Sequence, residues 1–220
     1  MINRLEATAR SGTGVRVDPG WLTSLRPASH LLFMVLLASA GAAPLRISVS
    51  VPPLLEVVRS VAGADTVVTS FMGKTDDPHT FSPTPKAVAQ LGECEIFFTV
   101  GMPFEEAVAG KIRRMFPDLT VVDAADGLDA EHEEHDAHHG HEEHGLHDPH
   151  IWLSLPNLTV IAANVRDALA AARPDRKEAF FANCERLVAR YQRTHAELNA
   201  QLRPCQGATF FVYHRALGHF

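Results

Sequence analysis

The sequence predicts an α/β fold with a mostly parallel sheet. Three observations carry that expectation. The chain has 220 residues, 46% hydrophobic and 21% charged, an ordinary globular mixture sufficient for one large domain or two small ones. Short β-rich runs alternate with helical runs over the stretch 45–122. The connections between them are short, which favours layers of helix against parallel strands.

Taken in order, residues 45–51 (LRISVSV) alternate apolar and polar and read as the first strand. Pro52-Pro53 opens a helical stretch containing Leu54, Leu55, Val57, Val58 and Val61, stopped at Gly63. Residues 66–71 form a second β-rich run and 86–92 a short helix. Residues 95–100 (EIFFTV) make the third strand. A helix over 104–115 follows, with Ala107, Val108, Ile112 and Met115 at helical spacing, and then a fourth strand over 119–122. Residues 124–147 are acidic and His-rich without apolar periodicity, so a surface loop is expected there. Helical character returns over 158–172. The longest helix starts after Pro174 and carries Phe180, Cys184, Leu187, Val188, Tyr191, Leu198 and Leu202 on one face. It reaches about Arg203 before Pro204, roughly 40 Å at 1.5 Å per residue. Residues 208–213 (ATFFVY) read as a further strand, close to the final residue, Phe220.

The start of the chain has another character. Leu31-Leu32-Phe33-Met34-Val35-Leu36-Leu37 is followed by small residues from Ala38 to Ala43. That apolar run is too short to cross about 30 Å of hydrocarbon as a helix. With the A-x-A pattern after it, it reads as a secretory signal cleaved after Ala40 or Ala42. Residues 1–42 are therefore assigned to a signal peptide with an over-extended N-terminus. The first cysteine is Cys94, so no lipid-bearing cysteine follows the apolar run, and soluble export to a periplasm is expected. A formal charge of −6 offers no basic surface for nucleic acid. Cys94, Cys184 and Cys205 are odd in number, too few for a disulfide scaffold, and lack metal-ligand spacing.

Histidine is the unusual component, thirteen residues against two tyrosines. His79 and His150 each end an Asp-Pro-His tripeptide, Asp77-Pro78-His79 and Asp148-Pro149-His150, and His214 follows the run FFVY. Proline fixes its own φ and restricts the residue before it, so both tripeptides place a histidine on a stiff turn. Imidazole is a good Zn²⁺ ligand, and Asp77 and Asp148 are placed to orient a second ring nitrogen. Taken singly, each of these histidines reads more readily as a surface or helix-capping residue than as a ligand; the repeated tripeptide favours ligation. The run His132, His135, His138, His139, His141, His144 and His147 is interleaved with acidic residues at irregular spacing. It is expected to bind Zn²⁺, Ni²⁺ or Cu²⁺ weakly and at several points, an auxiliary metal-binding stretch and not a fixed site.

The order of DPHTFSPTP (77–85), the His-rich loop, DPHIWL (148–153), a long helix and FFVYHRALGHF (210–220) resembles the zinc/manganese-binding solute receptors of bacterial ABC importers, with the ZnuA-like zinc branch the closer match. The resemblance implies two α/β lobes joined by a long backbone helix, with the metal in the cleft between them. It makes 43–173 an N-terminal lobe with a His-rich loop at 129–147, 174–204 the connecting helix, and 205–220 the first strand of a C-terminal lobe that is truncated here. It carries His79, His150 and His214 over as metal ligands. Histidine instead of glutamate at 214 favours Zn²⁺, with Mn²⁺ less favoured. The function implied is periplasmic capture of Zn²⁺ and delivery to a membrane permease, with no enzymatic step, no nucleic acid and no small organic substrate. Two other readings stay open: a zinc-dependent hydrolase built on three histidines with an open coordination position, and a metal buffer that uses only the His-rich loop.

Overall fold

A computed structural model of the chain describes residues 43–128, 149–214 and 216–220. Among these residues four strands form one parallel sheet: β1 (Leu45–Val49), β2 (Thr66–Ser70), β3 (Ile96–Thr99) and β4 (Thr120–Asp123), in the order β2-β1-β3-β4. Five α-helices accompany them: α1 (Leu54–Ala62), α2 (Pro85–Leu91), α3 (Pro103–Met115), α4 (Leu155–Ala172) and α5 (Lys177–Leu202). The expected α/β architecture is therefore the observed one.

Position in the sheet explains the composition of each strand. The central strands β1 and β3 are buried almost throughout, with Ile47, Val49 and Phe98 fully enclosed. The edge strands β2 and β4 are half exposed and carry Thr, Ser and Asp beside valine. Helices α1, α4 and α5 pack on one another, while Phe104 and Ile112 of α3 are buried in the same core as β1 and β3. Each strand of a parallel sheet returns through a crossover, so the loops that follow the strands all leave from one edge.

Side chains from later elements close the exposed ends of earlier ones. The last carbonyls of α1 accept hydrogen bonds from Asn183 (2.8 Å to Val61) and Arg176 (3.2 Å to Ala62), groups that a helix end otherwise leaves to water. Arg173, just past α4, pairs with Glu95 at the start of β3 at 2.6 Å. Asn164 on α4 donates to the carbonyls of Ala124 and Asp126 and holds the turn after β4.

Two expectations need correction. Residues 208–213 pair with no strand among the described residues. Phe210, Phe211, Val212 and Tyr213 stand exposed, on neither edge of the sheet. The long helix also begins differently: Pro174–Arg176 is a 3₁₀ turn, and α5 starts at Lys177. Cys184 is buried, Cys94 half-buried and Cys205 exposed, all three as free thiols.

One buried carboxylate organises the end of β3. Glu105, in the first turn of α3, is only 5% exposed and accepts hydrogen bonds from the amides of Val100, Gly101 and Met102 at 2.8–3.2 Å. Three consecutive amides converge on it because Gly101 takes a φ of +83°, a conformation glycine adopts without strain. Burial pushes the Glu105 carboxyl above its ordinary value of 4.5, against the opposing pull of Ser50 and the three amides. The native state therefore keeps this proton to higher pH than the unfolded chain does. The associated stability is present in full below 4.5 and is lost as pH rises through the native value. Denaturant unfolding across a pH series should show the parent chain losing stability relative to Glu105→Gln as pH rises from 4.5. Glu105→Ala, which leaves three amides without an acceptor, should cost about 3 kcal/mol.

Candidate metal centre

Each of the three histidines singled out in the sequence arrives from a different part of the fold. His79 lies in the connection from β2 to α2, beyond the carboxyl end of the sheet. Its turn is built by Asp77, whose carboxylate accepts the His79 backbone N–H at 3.0 Å and the Thr80 hydroxyl at 3.3 Å. This is an Asx turn, the local bond by which aspartate stiffens a short loop. These donors, the His79 amide foremost, hold the Asp77 carboxyl below its ordinary value. Asp77 thus fixes the backbone of His79, where the sequence suggested an effect on its ring; Asp148 lies outside the described residues.

His150 follows β4 and precedes a 3₁₀ turn, Ile151–Leu153, whose Leu153 amide donates to the His150 carbonyl at 3.0 Å. It is the buried member of the three, 6% exposed. The Trp152 ring meets it edge-on at 5.4 Å. His214 comes from the segment after α5 and, like His79, is exposed. The structure brings all three together.

Their Nε2 atoms form a nearly equilateral triangle: 3.3 Å from His79 to His150, 3.2 Å from His79 to His214 and 3.2 Å from His214 to His150. Nitrogens bound at about 2.0–2.1 Å to a tetrahedral ion lie about 3.3–3.4 Å apart. The triangle therefore matches one face of a zinc tetrahedron. Three converging imidazole lone pairs repel one another, and a cation above their centre turns that repulsion into ligation. The donor set, nitrogen only, suits Zn²⁺ better than Mn²⁺, which favours oxygen. Among the described residues these three form the one group of His, Cys, Asp or Glu side chains close enough to share an ion. His132, His135, His138, His139, His141, His144 and His147 lie outside the described residues.

Sequence reasoning did not find what steadies these turns. An aromatic cluster of Phe71, Phe81, Phe97 and Phe104 takes in Phe81, two residues after His79, and Glu105, next to Phe104 in the chain, is buried. The available signal was Glu105 three residues after Met102, which precedes the Pro103 that opens α3; a glutamate there reaches back to the N-cap amide.

Comparisons with known proteins give the family. The family model described as zinc-uptake complex component A, periplasmic, matches residues 47–220. The manganese-binding lipoprotein MntA of Halalkalibacterium halodurans is 26% identical over 178 residues, covering 80% of this chain and 56% of the relative. The zinc-binding lipoprotein AdcA of Streptococcus pneumoniae is 28% identical over 173 residues, 76% of this chain and 34% of that one. A crystal structure of ZnuA superposes with a TM-score of 0.70 at 28% identity, over 80% of this chain and 66% of its own. The chain thus spans about a third to two thirds of the length of these proteins. A parallel sheet flanked by helices, three histidines meeting at one point and a family match over most of the chain lead to one conclusion: the chain belongs to the family of periplasmic zinc-uptake component A proteins.

Proposed function

We propose that the chain is the zinc-capturing receptor of an ABC importer, which binds Zn²⁺ in the periplasm through His79, His150 and His214 and passes it to a membrane permease. The triangle of Nε2 atoms carries this reading. It is preorganised for a small, nitrogen-preferring ion, and relatives named for zinc and for manganese both lie within reach of the sequence. The all-nitrogen donor set favours zinc between them. Three ligands leave one tetrahedral position, which the family resemblance assigns to a second lobe beyond the long helix α5. On this reading 43–173 is the first lobe, α5 the connector, and the segment from 205 onward the entry to the second lobe.

The rest of the reading follows from the sequence. Residues 1–42 direct export of the chain. The His-rich stretch between His132 and His147 gathers zinc as an auxiliary metal-binding segment. No bond of the cargo is made or broken other than to its ligands, so the function is binding and release, with no catalytic step. Among the described residues no helix is long and apolar enough to cross a membrane, which fits a receptor that meets its permease from outside.

Zinc titration of the chain, beside single His79→Ala, His150→Ala and His214→Ala variants, tests the assignment. Each substitution is expected to weaken the tightest site by more than the roughly 10–100-fold typical of outer-shell changes. Unchanged tight binding in all three would move the site to the His-rich stretch and end this reading. Acidification, which protonates imidazole, should lower affinity as well. Competition between Zn²⁺ and Mn²⁺ should favour Zn²⁺; a preference for Mn²⁺ would overturn the choice of ion. At free zinc a hundred times Kd, binding should add about 2.7 kcal/mol of stability. For a chain of this size that raises Tm by about 5–10 °C, and chelation or His150→Ala should erase the gain.

A further inference from the structure

His79 is an exposed ligand on the long irregular connection between Ser70 and Pro85. A ligand on such a connection wanders unless something outside the turn holds it, and a metal site tolerates displacements of only about 0.5 Å. The Asx turn at Asp77 fixes the local backbone but ties it to nothing beyond Thr80. The first apolar side chain after His79 that packs on the core is Phe81, two residues on.

Phe81 is half-buried, and its ring meets Phe104 edge-on at 5.0 Å and Phe71 edge-on at 5.9 Å. Both partners are themselves fixed. The Phe71 amide donates to the Val49 carbonyl at 2.7 Å and so extends the β1–β2 ladder, while its ring lies edge-on to Phe97 of β3 at 5.4 Å. Phe104 occupies the first turn of α3, which Glu105 locks to the end of β3 through the amides of Val100, Gly101 and Met102. A continuous line of packed groups therefore runs from a buried carboxylate, through two rings, to the backbone that carries His79. Edge-to-face ring pairs have a preferred geometry and not merely an apolar area, so the line specifies a position as well as a contact.

We propose that Phe81 is a positioning residue for His79: its docking between Phe71 and Phe104 holds the His79 imidazole in the metal-binding triangle, with Glu105 fixing the far side of the dock. The proposal rests on the zinc-site reading and adds to it the residues that set affinity and coordination geometry from outside the ligand set. Phe81 touches no metal and acts only through His79.

The experiment pairs Zn²⁺ affinity with the visible spectrum of the Co²⁺-loaded chain, whose intensity distinguishes four-coordinate from six-coordinate cobalt. The full chain is used, and a triple variant with His79, His150 and His214 all replaced by alanine supplies the background from the His-rich stretch. Trp152, edge-on to His150, gives a local fluorescence readout. Phe81→Ala should weaken Zn²⁺ binding by about 10–100-fold, the range for residues that orient ligands. It should also reduce the four-coordinate Co²⁺ bands, and Phe81→Tyr should restore both. Phe81→Leu keeps most of the volume without the ring edge, so it decides the matter if Phe81→Ala does not fold: weakened four-coordinate bands support the proposal, and bands equal to the parent's overturn it. Parent-like affinity and spectrum in a folded Phe81→Ala chain, with His79→Ala still defective, would overturn the positioning role and leave the zinc site standing. If the triple variant binds as the parent does, the zinc-site reading itself fails.

Discussion

Three imidazole nitrogens held 3.2–3.3 Å apart repel one another in the absence of a cation or shared protons. Much of the structure around them serves to hold that arrangement. The histidines come from residues 79, 150 and 214, each from a different element junction, so no local motif alone is able to assemble them. The cost of bringing them together falls on the sheet and its helices during folding. On the proposed assignment, an ion meets a triangle already formed, and the free energy of ligation goes into binding.

The sheet makes this possible through its order. Parallel strands send their following loops to one edge, and in the order β2-β1-β3-β4 the chain moves outward first to one side and then to the other. The connection after β2 and the segment after β4 both leave from that edge, and they carry His79 and His150. Ligands of open α/β sheets gather at the carboxyl edge for this reason. His150 is buried where the chain turns into α4, whereas His79 and His214 sit at the surface, so the site is a rim with one deep member.

Much of the framework was legible because it rests on local signals. One alternating run at 45–51 and the short β-rich runs after it located the four strands, Gly63 with its positive φ closed α1 as expected, and Pro52-Pro53 marked the entry to that helix. The Asp-Pro-His turns were legible because proline restricts the backbone whatever surrounds it. The FFVY run misled because β propensity describes a fit to a neighbouring strand, and a sequence window holds no information on whether that neighbour is there. Glu105 and Phe81 escaped notice for the same reason. Glutamate after a proline reads as a solvated first-turn residue, and a lone phenylalanine in a loop reads as a stray apolar group. Their roles depend on Gly101, Phe71 and Phe104, which only the fold places beside them.

The helix α5 runs unbroken for 26 residues, yet Tyr191 is the last of its residues to be buried. Up to that point it is bound into the unit by Phe180, Cys184 and Leu187. Beyond it, the final turns to Leu202 rely on their own backbone hydrogen bonds, and a helical stretch of that length has little stability by itself in water. One element therefore contains two regimes of motion. Its first half opens only with the core, and its second half opens by fraying from the far end. Amide hydrogen exchange along this single helix should follow a steep gradient, slow before Tyr191 and progressively faster after it, with no break in the secondary structure to mark the change.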